Sequence, residues 1–204
     1  MTRARALAQY KGGMDARPGR FGLITAFSAT LEEITLGPGG GDGRPSRLLY
    51  RVYRSASGRA RYDFLVAAAA LSPDMAWLFD PTTRHMVLLE RSTGTVLQRH
   101  SFEPPRGAFL TWNGAGPFTP FPFPHEGVPR REELGTRVLE GFVARGTLTA
   151  YADGWHECWT AADSLDAPLL ERWRVTSGHE RTAQIYGVRV GEPDAELFAA
   201  LDLG

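Results

Sequence analysis

Cysteine is all but missing from this sequence: Cys158 is the single one in 204 residues. No disulfide can therefore form within the chain, and cysteine usage leaves the redox compartment open. Lysine is as scarce. Lys11 is the only lysine among 23 basic residues, a skew that genomic base composition explains more simply than selection of arginine for phosphate or carboxylate recognition. With a sequence pI near 7.0, no lysine-rich cluster and no recognition motif, nucleic acid is not expected as a partner. Apolar runs are short as well. None approaches the roughly 18 residues that a membrane span needs, so no transmembrane segment is expected. The stretch MTRARALAQYKGGMDARPGRFG at the N-terminus is basic but has no apolar core of about 7 to 15 residues, as a secretory leader would. As it stands the sequence reads as cytoplasmic or peripheral to a membrane, and as periplasmic if a leader has been removed.

Reaction centres are missing too. The glycine-rich GPGGGDG at Gly37 to Gly43 has Asp42 where a phosphate loop has glycine, and no Lys-Ser/Thr follows, so it reads as a hairpin tip. His125-Glu126 and His179-Glu180 lack the second histidine of a zinc-protease helix. No Gly-x-Ser-x-Gly elbow exists, and Ser177 beside His179 has no orienting acid. Asp163 and Asp166 are loop acids that read as solvated rather than as an acid and base pair. His156 and Cys158 lie two apart, on one face of a strand, which is how a metal site begins; but two ligands are not four, and His85, His100, His125 and His179 fall in no paired spacing. No catalytic residue, cofactor or metal is expected.

What the chain does have is an unusual apolar stretch. Phe102 to Pro124 holds five phenylalanines, one tryptophan and six prolines, too apolar to stay solvated and too rich in proline for a helix. Pro120, Pro122 and Pro124 alternate with Phe121 and Phe123, so an extended chain would carry both rings on one face while its proline edge could not pair. Phe109, Trp112, Phe118, Phe121 and Phe123 are accordingly candidate partner-binding residues, and the alternative is a guarded edge packed on its own domain. Charge is also uneven. Met1 to Arg61 carries ten Arg and Lys11 against Asp15, Glu32, Glu33 and Asp42, and the rest of the chain returns the formal net charge to zero; such asymmetry would orient a protein on an anionic surface, although an internally compensated fold explains it as well.

The remainder reads as antiparallel β. Residues 1–20 form a basic arm without periodicity, and 21–204 a single domain interrupted by the aromatic and proline-rich insertion at 102–130. Phe21–Leu36 and Arg47–Arg54 flank a turn-rich tip, Arg59–Val66 follows, and Met75–Phe79 and His85–Glu90 are joined at Asp80-Pro81-Thr82-Thr83, the residue order of a type I turn. Ala67 to Ala70 is ambiguous between a helical turn and a buried strand, and Thr95–His100 adds a further strand. Beyond the insertion, Gly135–Phe142, Ala144–Tyr151, Trp155–Thr160, Leu169–Val175 and Arg181–Val190 are separated by turns at Gly141, Gly146, Asp153-Gly154 and Ser177-Gly178. Pro193 to Ala200 predicts a short closing helix or turn. Trp155 and Trp159 share a face and Trp173 follows on the next strand, which suits cross-strand packing in the sheet core.

Several turns and strand ends carry a family resemblance: Val52-Tyr53-Arg54, Gly58-Arg59, Phe79-Asp80-Pro81 to Arg84, Leu134-Gly135-Thr136-Arg137, Glu140-Gly141, Gly146-Thr147, Glu157-Cys158-Trp159 with Ser164-Leu165, Ser177-Gly178-His179-Glu180 and Tyr186 to Phe198. In these, over about two-thirds of its length, the chain resembles a group of acidobacterial proteins of uncharacterised function. The resemblance implies a curved antiparallel sheet similar to the half-barrels of periplasmic lipoprotein carriers and of an envelope-stress sensor, and it implies no activity. The expectation is a mainly β, curved sheet or half-barrel meander that serves as a non-enzymatic accessory or docking subunit of a larger assembly, a membrane-bound one included. The alternative is a carrier of an apolar, lipid-like ligand in the concave face, lined by Trp77, Phe79, Trp159 and Trp173.

Overall fold

Period-two burial shapes the strands. In β1 (Phe27–Leu36) the buried Phe27, Ala29, Leu31 and Glu33 alternate with half-buried Ser28, Thr30, Glu32 and Ile34, the pattern of a strand with one face on a core. The computed structural model describes residues 25–37, 45–66, 73–101, 128–161, 165 and 167–202. The other strands are β2 (Ser46–Arg54), β3 (Ala60–Val66), β4 (Met75–Asp80), β5 (His85–Glu90), β6 (Val96–Ser101), β7 (Arg130–Leu139), β8 (Phe142–Tyr151), β9 (Gly154–Thr160), β10 (Pro168–Val175) and β11 (Glu180–Val190). A short 3-10 helix, Ala195–Leu201, follows.

The strands form one open, curved, antiparallel sheet in the order β6-β5-β4-β3-β2-β1-β11-β10-β9-β8-β7. It is two meanders laid side by side. β1 to β6 run outward in one direction, β7 to β11 return from the other, and β1 and β11 join them through pairs such as Leu31 with Ile185 and Glu33 with Ala183. Among the described residues the outer edges are therefore β6 and β7, which follow one another in the order of described strands. Ser101 lies at the end of the sheet where β1 begins, paired with His85, whereas Arg130 lies at the other end, paired with Ala150.

Most expected strands are present, with one local correction. The turn expected at Gly146 is absent: that glycine sits within β8 opposite Gly135. The reversal falls at Glu140-Gly141 alone, in keeping with the turn expected at Gly141, where φ is 51° and 82°, between the paired Leu139 and Phe142. Two consecutive positive φ angles match the twist of the flanking strands and close the tightest hairpin. Phe142 consequently begins β8 rather than ending β7. Asp80 turns the chain after β4 as its residue type predicts, its Oδ1 accepting from the amides of Thr82 at 2.8 Å and Thr83 at 3.2 Å. The expectations for 1–20, for Ala67 to Ala70 and for most of the 102–130 insertion lie outside the described residues.

One face of the β1–β5 half carries a run of rings. Tyr50 meets Tyr62 edge-on at 6.2 Å and Phe64 at 5.0 Å, and Tyr62 meets Phe79 at 5.7 Å, the offset arrangements that ring quadrupoles favour. On the reverse face Ala76, Leu78, Val87 and Leu89 pack against Phe198 and Leu201 of the 3-10 helix. Asp194 caps that helix by accepting from Glu196 N. Arginines on the sheet then hold it down: Arg61 donates to the Leu197 carbonyl at 2.9 Å, Arg99 to that of Ala200 at 3.2 Å, and Arg59 bridges Asp80 and Asp202.

Candidate functional site

Strand parity sorts the four aromatic residues expected to line a ligand face. Trp77 and Phe79 alternate along β4, and the chain of cross-strand partners from Tyr62 through Val52 and across β1 and β11 to Trp173 keeps them on one face of the sheet. Trp159 packs in the same core cluster as the other three, but its strand register differs from theirs. On β9 it is His156 that pairs with Trp173 and Cys158 that pairs with Glu171, so Trp155, Glu157 and Trp159 point the other way. Identical spacing along one strand cannot reveal which of its faces joins a neighbour; only the register does. Exposure is low for all four: 6% for Trp77, 3% for Phe79, 7% for Trp159 and 1% for Trp173.

Trp159 has its own setting. Its indole lies across Gly146, where a Cβ would come within 2.7 Å of the ring. The Arg137 guanidinium stacks 3.8 Å from its centroid, and Nε1 donates to Glu157 at 2.5 Å. The arrangement is a rigid stack of backbone, indole and cation.

The face that carries Trp173 also holds two buried polar groups. Arg181 of β11 donates to Glu33 of β1 at 2.6 Å, each side chain only 2% exposed. Beside it, on β9 and β10, stand His156, Cys158 and Glu171, whose ligand-type atoms all lie within 4.8 Å of one another. The His156 ring stacks parallel on Trp173, centroids 4.9 Å apart, which fixes the plane of the imidazole. Its Nε2 is 3.3 Å from Glu171 Oε1, yet Nε2 makes no hydrogen bond, and neither does Glu171 Oε2. Burial pushes the Glu171 carboxyl above the usual carboxylate range, with the contact to His156 opposing it. Burial, then the charge of Glu171, pushes the Cys158 thiol up to about 12. A thiol of that kind is no nucleophile at neutral pH. His156 and Cys158 were legible as a same-face pair from their spacing, but Glu171 was not, because only the β9–β10 register brings it opposite Cys158.

Phe109, Trp112, Phe118, Phe121 and Phe123, the expected partner-binding residues, lie outside the described residues. Among the described residues, a cavity of about 190 Å³ sits at the β1–β11 bulge, lined by Ser28, Thr30, Arg51, Gly187 and Arg189 among others. That is below the roughly 300 to 1,000 Å³ of ordinary small-molecule pockets. No helix of the described residues is long and apolar enough to cross a membrane.

No protein family and no curated protein matches the chain. Solved structures do. The MucA/MucB complex of Pseudomonas aeruginosa superposes with a TM-score of 0.53 at 12% identity, over 86% of this chain and 56% of the matched one. A second structure of MucB, in complex with MucA(peri), gives 0.50 at 13%, over 86% and 54%. A LolA-superfamily protein from Nitrosomonas europaea is similar over 86% of this chain and 90% of its own, with a TM-score of 0.44 at 11% identity. The chain spans about half the length of the MucB chains that it matches. At such identities the likeness is one of fold: an open antiparallel sheet of the kind seen in MucB.

Proposed function

We propose that this protein is a non-enzymatic docking subunit, a curved sheet that serves as the scaffold on which a larger protein assembly is engaged. The observation that carries this reading is the closure of the aromatic face. With Trp77, Phe79 and Trp173 at 6%, 3% and 1% exposure, an apolar guest would have to displace rings that are already packed, whereas docking on an outer surface leaves the core intact. MucB, which shares the fold, is seen in complex with MucA, which supports the use of such a sheet as a protein-binding scaffold. The partner is engaged by the apolar side chains Phe109, Trp112, Phe118, Phe121 and Phe123, large rings of the kind that dominate the centres of protein interfaces.

The test is isolation of the untagged protein from its native source in mild detergent, beside a variant carrying Phe118→Ser, Phe121→Ser and Phe123→Ser. The expected result is a partner at fixed stoichiometry with the native chain and its loss from the variant, with the melting temperature unchanged. A lone monomer that yields a stoichiometric apolar compound on organic extraction would replace docking with ligand carriage. A variant that unfolds would assign the segment to the core and end its role in docking.

A further inference from the structure

We propose that His156, Cys158 and Glu171 form a mononuclear zinc site on the β9–β10 hairpin, with a fourth position left for water or an exogenous ligand. Three observations carry it. The first is the donor set. An imidazole, a thiol and a carboxylate project from one face of two adjacent strands, with Cys158 directly opposite Glu171, and zinc is the ion that takes nitrogen, sulfur and oxygen together in tetrahedral geometry.

The second is spacing. Zinc bonds of about 2.0 Å to nitrogen and oxygen set a tetrahedral edge of about 3.3 Å, and Nε2 of His156 stands 3.3 Å from Oε1 of Glu171. An edge from the sulfur, with a bond of about 2.3 Å, is about 3.5 Å. The 4.8 Å envelope of the three donor atoms is wider than that, so the Cys158 sulfur has to turn inward when an ion binds.

The third is the electrostatic need. Glu171 is 3% exposed and its Oε2 makes no hydrogen bond, and the Nε2 facing it makes none either. Buried polar atoms without partners are uncommon and point to an ion or water between them. The surroundings are prepared for a bound ion. Trp173 fixes the imidazole plane, and the Thr160 hydroxyl lies 3.3 Å from the Cys158 sulfur, so it can support a thiolate. Binding releases the thiol proton to solvent, and no electron changes hands.

The site is independent of the docking surface, and its failure would leave that reading untouched. The full chain, without a histidine tag, is stripped with chelator and titrated with Co²⁺. One equivalent should produce a thiolate-to-cobalt charge-transfer band with the visible bands of a tetrahedral ion, and Zn²⁺ should displace it. In Cys158→Ser the charge-transfer band should vanish. In Glu171→Gln the affinity should fall more than ten-fold. Should either variant fail to fold, the wild-type chain still decides, because one equivalent of Zn²⁺ should raise its melting temperature and release the thiol proton, read as acidification of a weakly buffered solution. A wild-type chain that shows no band at one equivalent, a band that survives Cys158→Ser, or a melting temperature indifferent to zinc would overturn the site.

Discussion

Gly146 carries no side chain because the indole of Trp159 takes the space, and a Cβ there would stand 2.7 to 2.8 Å from three ring atoms. The ring cannot retreat, since Arg137 lies 3.8 Å from its centroid. Gly146→Ala should therefore cost about 1 to 3 kcal/mol, the range of overpacking in a closed core, read as a lower urea midpoint at unchanged slope. The sequence marks this glycine as a turn residue, and the mistake is instructive: glycine in a strand signals either a bend or a close approach, and composition alone cannot say which. Elsewhere a single hydroxyl reports on pH. Tyr186 donates to Glu32 Oε2 at 2.6 Å, and this bond, followed by the charge and hydrogen bond of Arg47 against the opposing effect of burial, holds the Glu32 carboxyl below its ordinary value of 4.5. A carboxylate with a depressed pKa adds stability above its unfolded value, and that stability is lost as pH falls through the folded one. Tyr186→Phe should cost about 1 kcal/mol at pH 7, and the gap between variant and wild type should narrow below about pH 4.5, as followed by thermal melts across pH.

Elements were more legible than the residues that join them. Alternation along β1, the Asp-Pro turn before β5 and the Pro193-Asp194 start of the final helix are local signals, and each lies where its chemistry places it. The β1–β11 pairing, the face taken by Trp159 and the company of Glu171 are properties of register and topology, which no window of adjacent residues contains. The 3-10 helix shows how little a short element holds of its own. At seven residues it is too short to hold itself, and its position depends on Phe198, Leu201 and the arginines beneath it. Arg59 donates at once to Asp80 at 3.1 Å and to Asp202 at 2.6 Å. Arg59→Met keeps the stem and removes both contacts; it should lower global stability by about 1 kcal/mol, while amide exchange at Leu197 and Asp202 accelerates more than exchange in β4.

At the scale of the molecule, the centre of the sheet is built from the strands that are farthest apart in the chain. Each meander pairs neighbours in sequence, but β1 meets β11 between residues such as Glu32 and Tyr186, 154 positions apart. Ile185, buried at that junction opposite Leu31, is where the two halves meet. Ile185→Val should cost about 0.5 to 1.5 kcal/mol. The order of events then follows from chain entropy: hairpins of adjacent strands close in microseconds, while a contact across most of the chain waits for both halves to exist. The loss in Ile185→Val should appear mainly as faster unfolding, and an equal share in the refolding limb of a stopped-flow chevron would contradict this order. The strand pair that looks like the middle of the protein is, in time, its last seam to close and the first to part.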